Sequence, residues 1–178
     1  MYAIDPSTWK VLEEVAAPGR PYGIAAFKGA LSVVVSLGED DDRYICRFVP
    51  GTGFDVENKV ACPDFTGSHL ASDGSKLYLG QQGNHRILVL DDGFGVSREI
   101  PMQTRFPGFA FDGSGASFVI TADEEWENLA FARIDLQQSA PVSEPIAAVP
   151  FEARALAFDG NAWWTSDREV GEIVSFSA

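Results

Sequence analysis

Two groups of side chains in this sequence have the types and spacing to do chemistry. The first is acidic: Glu39-Asp40-Asp41-Asp42 and Asp123-Glu124-Glu125-Trp126-Glu127 carry hard oxygen ligands of the kind that hold Ca²⁺, with Asp41, Asp42, Asp123 and Glu125 as the metal-ligand candidates. Neither run has the Asp-x-Asp-x-Asp-Gly order with a closing Glu, and like-charge blocks more often form a solvated surface. The second is Tyr22, His69, Arg105, Phe106 and Arg154, a set of cationic and aromatic groups suited to gripping an anionic or planar ligand. The competing expectation is structural: His69 and Tyr22 fill a narrow interior space with satisfied hydrogen bonds, and the arginines pair with Glu152 and neighbouring acids. No Gly-x-Ser-x-Gly elbow, phosphate-cradling Gly-x-x-x-x-Gly-Lys or paired-histidine motif is present, so no catalytic residue is assigned and the reading leans away from an enzyme.

The elements that must position these groups are repeated. Ala110-Phe111-Asp112-Gly113 returns intact as Ala157-Phe158-Asp159-Gly160, with echoes at Ala26-Phe27-Lys28-Gly29 and Ala71-Ser72-Asp73-Gly74. The glycines at 29, 74, 113 and 160 are 45, 39 and 47 residues apart, near the period of a four-stranded propeller blade. Between them run short segments of period-2 alternation bounded by Asp-Gly and Pro-Gly turns, a β pattern rather than a helical one. The expected fold is therefore all-β: one domain over residues 1–178, a β-propeller of about four four-stranded blades. The blades fall at roughly 20–62, 66–102, 106–149 and 153–178, with a partial one at 1–17. In blade order A to D, the A strands should line the axis. Ala110, Phe111, Ala157 and Phe158 should then be buried more deeply than Glu57, Lys59 and Arg98.

The second repeat is the most specific. Asp73-Gly74-Ser75-Lys76-Leu77-Tyr78-Leu79, followed by Gly83-Asn84-His85-Arg86-Ile87-Leu88-Val89-Leu90-Asp91, resembles an NHL repeat. Leu156-Ala157-Phe158-Asp159-Gly160-Asn161-Ala162-Trp163-Trp164 is similar to blades of the gluconolactonase-like and YVTN-type propellers. The NHL resemblance implies a propeller, commonly six-bladed, and makes His85 part of the repeat signature. The gluconolactonase resemblance implies carboxylates and amides converging at the mouth of a central channel, and with them a metal-dependent, lactonase-like hydrolase. The acidic residue usual after the second strand is replaced here by Gly80-Gln81-Gln82.

Strand parity localises function. Consecutive antiparallel strands put the A–B and C–D turns at one end of every blade and the B–C and D–A loops at the other. The first end has only tight turns, whereas the second has every irregular segment and is the expected binding face. Seventeen strands are one more than four blades need. Tyr2 to Asp5 reads as a C strand and Trp9 to Ala16 as a D strand that could complete the fourth blade. Three arrangements fit this count: a four-bladed monomer with a displaced N-terminal strand, an arc completed by a second chain as a homodimer, or a piece of a longer six-bladed protein.

Composition narrows the partners. A net charge of −13 repels phosphate backbones and anionic lipid, so neither nucleic acid nor membrane is expected, and a protein or small-molecule ligand is. Cys46 and Cys62 form no Cys-x-x-Cys pair and read as reduced structural thiols. With no basic-then-apolar leader at Met1 to Asp5, the expected location is cytoplasmic. No organic cofactor is indicated, and Ca²⁺ is the one ion to consider.

Overall fold

The computed structural model describes residues 1–177. Four antiparallel sheets stand in a ring, and the strands fall where the repeats place them. Blade one is β3 (Arg20–Phe27), β4 (Ala30–Leu37), β5 (Asp42–Val49) and β6 (Gly53–Ala61). Blade two is β7 (His69–Ser72), β8 (Leu77–Gln81), β9 (Arg86–Leu90) and β10 (Val96–Pro101). Blade three is β11 (Arg105–Phe111), β12 (Ser117–Ala122), β13 (Leu129–Ile134) and β14 (Glu144–Val149). Blade four has only β15 (Ala153–Phe158), β16 (Trp163–Asp167) and β17 (Glu172–Phe176). The protein is thus a four-bladed β-propeller.

Blades two, three and four close their A–B turns with the same device, which is why Asp recurs there, whereas blade one has Lys28-Gly29 at that turn. Asp73, Asp112 and Asp159 each turn Oδ1 onto two backbone N–H groups of the next few residues, at 2.7 to 2.9 Å. A short carboxylate hydrogen-bonding its own backbone stabilises a tight turn. In blades two and four the second oxygen also accepts from the B strand, from Tyr78 Oη at 2.9 Å and Trp164 Nε1 at 2.7 Å.

Alternation along the B and C strands builds the seams between blades. Val34 and Ile45 of blade one face Leu70, Leu77 and Leu79 of blade two, all buried. Ile120 and Phe131 of blade three meet Leu156 and Trp163 of blade four, with the Phe131 and Trp163 ring centroids 5.2 Å apart. Fully burying side chains of this size contributes on the order of 2 kcal/mol each. The inner strands approach so closely that glycine is required at Gly108, where a Cβ would lie 2.4 Å from the carbonyl carbon of Ala155.

The N-terminal strands depart from expectation. β1 (Tyr2–Ile4) and β2 (Val11–Glu14) pair with each other, and β2 does not complete blade four. Pairing locally costs far less chain entropy than pairing with an edge more than 150 residues away. The inner strands pack at β3/β7, β7/β11 and β11/β15, whereas β15 and β3 make no comparable contact. The hairpin occupies that fourth seam. Met1 and Val15 cover Val33, Val35, Cys46 and Phe48 of blade one, and the Trp9 ring sits 6.0 Å from Trp164 of blade four.

The burial expectation holds in part. Ala110 is buried and Phe111 and Phe158 are partly so, whereas Ala157 is exposed because its face of blade four looks into the loose seam. Arg98 is also partly buried, since its guanidinium reaches across to the carbonyls of Leu136 and Gln137. Both cysteines are free and buried, and burial pushes the Cys62 thiol up to about 12. No helix among the described residues is long and apolar enough to cross a membrane.

Candidate functional site

The two ends of the ring differ as parity predicts. At the turn end there is a shallow hollow of about 360 Å³ lined mainly by small and apolar residues, and its one charged wall residue, Lys28, pairs with Asp92. At the loop end a cavity of about 830 Å³ opens at the channel mouth and draws on every blade. Arg20, Tyr22 and Arg43 come from blade one, His69 and Gln82 from blade two, Trp126 from blade three, and Arg154, Ser166 and Arg168 from blade four. Below it a narrower void of about 120 Å³ continues along the axis, sharing Tyr22, His69 and Ala155 and lined by Leu70, Phe109 and Leu156. The mouth is polar and the shaft apolar.

Of the five residues singled out in the sequence, Tyr22, His69 and Arg154 converge here. The Tyr22 hydroxyl donates to Asp41 Oδ1 at 2.8 Å, and the Arg43 guanidinium lies over the Tyr22 ring at 3.8 Å. Arg43 is committed to the scaffold: it bonds Asp41 at 2.9 Å and the Gly67 carbonyl at 2.8 Å. These contacts, the Arg43 hydrogen bond first, hold the Asp41 carboxyl down at about 2. Arg154 stacks over Trp126, 4.1 Å from the ring centre, and its guanidinium is pushed below its usual value by burial and by Arg168. The remaining two residues play other parts. Arg105 is tied to Glu124 at 2.7 Å and flanks Trp126 from outside the cavity. Phe106 is fully buried in the core between blades two and three, where it meets Phe109.

His69 is held neutral. Burial, and then the nearby Arg154 and Arg43 charges, depress its imidazole to about 4. Its Nε2 is sealed from solvent and has no hydrogen-bond partner, and the same is true of Gln82 Nε2. An orphaned buried polar atom carries a penalty of about 1–3 kcal/mol unless something satisfies it, and here two such atoms stand in the wall of one cavity.

The acidic candidates do not assemble. Asp41 is spent on Tyr22 and Arg43. Asp123 caps its own loop through the Glu127 N–H at 2.9 Å and the Asn128 side chain. Asp42 and Glu125 lie outside the cavity wall. Among the described residues, no three His, Cys, Asp or Glu side chains come together in a way that could hold a metal ion. A wall with four arginines and no carboxylate is a poor host for Ca²⁺.

The repeat signature is structural. Arg86 bonds Gln81 Oε1 at 2.7 Å and Glu99 at 2.8 Å and also pairs with Asp64, while buried Gln81 donates to the carbonyls of Pro63 and Thr66. The Gln that replaces the usual acid therefore pins the loop entering blade two.

Sequence reasoning missed Arg20, Arg43, Gln82, Trp126 and Arg168. All lie in or beside loops on the face that parity selects, so choosing the cations and aromatics of that face would have found most of them.

No family model matches this chain, and no curated protein matches it. Among solved structures it is similar to a gluconolactonase from Xanthomonas campestris, at 17% identity and a TM-score of 0.60, over 90% of this chain and 59% of that one. It is similar to a catalytically inactive virginiamycin B lyase from Staphylococcus aureus, at 15% identity and a TM-score of 0.57, over 92% of this chain and 55% of that one. A chain of a nidogen/laminin complex matches at 10% identity and a TM-score of 0.61, over 99% of this chain and 84% of that one. The chain spans a little over half the length of the lyase and the gluconolactonase. At such identities these likenesses show the fold alone, a β-propeller.

Proposed function

We propose that the protein is a recognition module that holds a ligand at the channel mouth and releases it unchanged. The observation that carries this reading is the loop-end cavity. All four blades contribute to it, its volume suits a small organic ligand, and its wall has no carboxylate to serve as a general base. His69 is the cavity's one imidazole and is kept neutral, but its Nε2 has no hydroxyl or thiol partner to activate. Rigid sheets carrying variable loops make such a mouth a stable platform, and one relative in fold was solved in a protein complex.

A thermal-shift screen of carboxylates, phosphates, sugars and amino acids, with mass analysis of the recovered ligand, tests this reading. At least one class should raise Tm, be recovered intact and lose its effect in Trp126→Ala. Conversion of the ligand at a rate that depends on the cavity would overturn the reading. So would stoichiometric metal in protein purified without added metal, which would favour a lactonase-like hydrolase.

A further inference from the structure

Resting on the recognition reading above, we propose that the ligand is a small organic polyanion with at least two carboxylate or phosphate groups, gripped by Arg20, Arg154 and Arg168 beside His69 and Gln82. Acidic residues outnumber lysine and arginine 26 to 13 in this chain, so a cavity wall that gathers arginines and no carboxylate is the feature to explain. The ion pairs among the described residues use Lys28, Arg43, Arg86 and Arg105. Arg20, Arg154 and Arg168 take part in none, yet all three face one cavity whose wall has no carboxylate. The Arg154 guanidinium takes part in no hydrogen bond, its backbone carbonyl alone meeting the Thr165 and Ser166 hydroxyls, and Glu152 draws on it from beyond ion-pair distance.

Mutual repulsion of clustered guanidinium groups is unfavourable. Arg168 and burial already make it harder for Arg154 to hold its proton. Such a cluster is stabilised by an anion, and arginine's planar fork matches carboxylate and phosphate alike. Two further observations are independent of charge. The His69 and Gln82 side chains stand in this wall with Nε2 atoms that lack partners; the amide nitrogen can only donate, and a turn of the Gln82 amide toward the mouth would bring it to a ligand oxygen. The Arg154–Trp126 stack fixes one guanidinium plane, so that it meets an oxyanion with little loss of side-chain freedom. Three free cations call for more than one negative charge, and the concave mouth suits a compact molecule better than an extended chain.

The test uses the intact protein with citrate and pyrophosphate as probes and glucose as the neutral comparison. Calorimetry should show citrate or pyrophosphate binding, weakened at least tenfold between low and high salt, and no heat with glucose. Whichever of the two binds more tightly assigns carboxylate or phosphate chemistry. Arg20→Gln, Arg154→Gln and Arg168→Gln should each weaken binding at least tenfold, whereas Lys76→Gln at the turn end should leave it unchanged. In the wild type, NMR titration of the His69 imidazole gives a readout that needs no variant: a bound anion should raise its midpoint by about one unit. Absence of heat with both anions at millimolar concentration, or a His69 midpoint unmoved at saturation, overturns the proposal. Binding of a neutral ligand at the mouth overturns it too but spares the recognition reading. Conversion of a bound polyanion spares the anion site and overturns the recognition reading.

Discussion

Lowering the pH should destabilise this protein through His69 before its carboxylates protonate. Burial first, and then the Arg154 and Arg43 charges, hold the folded imidazole down at about 4, below its ordinary value of 6.5. Between these values the unfolded chain binds the proton and the folded one does not. Stability is therefore full above the unfolded value and falls as pH drops from about 6.5 towards about 4. The full difference corresponds to about 3 kcal/mol, of which roughly 2 kcal/mol should be lost between about pH 7.5 and about pH 5. The charges facing the ring are Arg43 and Arg154, both of which oppose protonation, and no carboxylate shares the wall to relieve it. Urea unfolding at both pH values, for wild type and His69→Gln, isolates the contribution: the glutamine variant should lose about 2 kcal/mol less on acidification. Equal losses would mean that His69 is solvated or paired, and the account of a sealed, orphaned Nε2 would fail with it. Saturating polyanion should narrow the gap between the two proteins, because an anion beside the ring favours its protonated form.

Three further outcomes are expected. Gly108→Ala should cost about 3 kcal/mol, since its Cβ meets backbone of β15 rather than a movable side chain, whereas Gly113→Ala, with nothing within 4 Å, should stay within about 0.5 kcal/mol by urea titration. Gln81→Leu should cost about 2–3 kcal/mol by the same measure, because it strands the carbonyls of Pro63 and Thr66 and removes a partner of Arg86; a near-neutral result would mean that water replaces the amide. Tyr2, Val11 and Leu12 are exposed beside a blade whose outer strand β17 has no fourth partner, and we expect this seam to drive homodimerisation. Light scattering should show mass rising with concentration, an effect lost in Val11→Lys/Leu12→Lys; a constant single-chain mass would end that idea.

What the sequence discloses and what it hides follow from the range of the forces involved. Strand positions were legible because each depends on neighbours in the chain. The Asp73, Asp112 and Asp159 turns are closed by the carboxylate's own backbone, and alternation within Ala30–Leu37 sends Val33 and Val34 to opposite faces whatever lies beyond. The fate of the N-terminal strands was not legible. A D-like strand carries no mark saying whether it pairs with β1 nearby or with β17 across the ring, and the choice rests on chain entropy and on the cover that Val33 and Cys46 require. The site lies between these cases. Parity alone names its face, and a residue at the start of an A strand must approach the axis, which found Tyr22, His69 and Arg154. It could not separate Arg105 from Arg154, both of which flank Trp126, because the difference lies in which arginine has a carboxylate within reach: Glu124 pairs with Arg105, and no carboxylate stands within ion-pair distance of Arg154. Pairing across 19 residues and a blade loop is a property of the folded surface, and the informative cations are those that folding gathers around one cavity whose wall has no carboxylate.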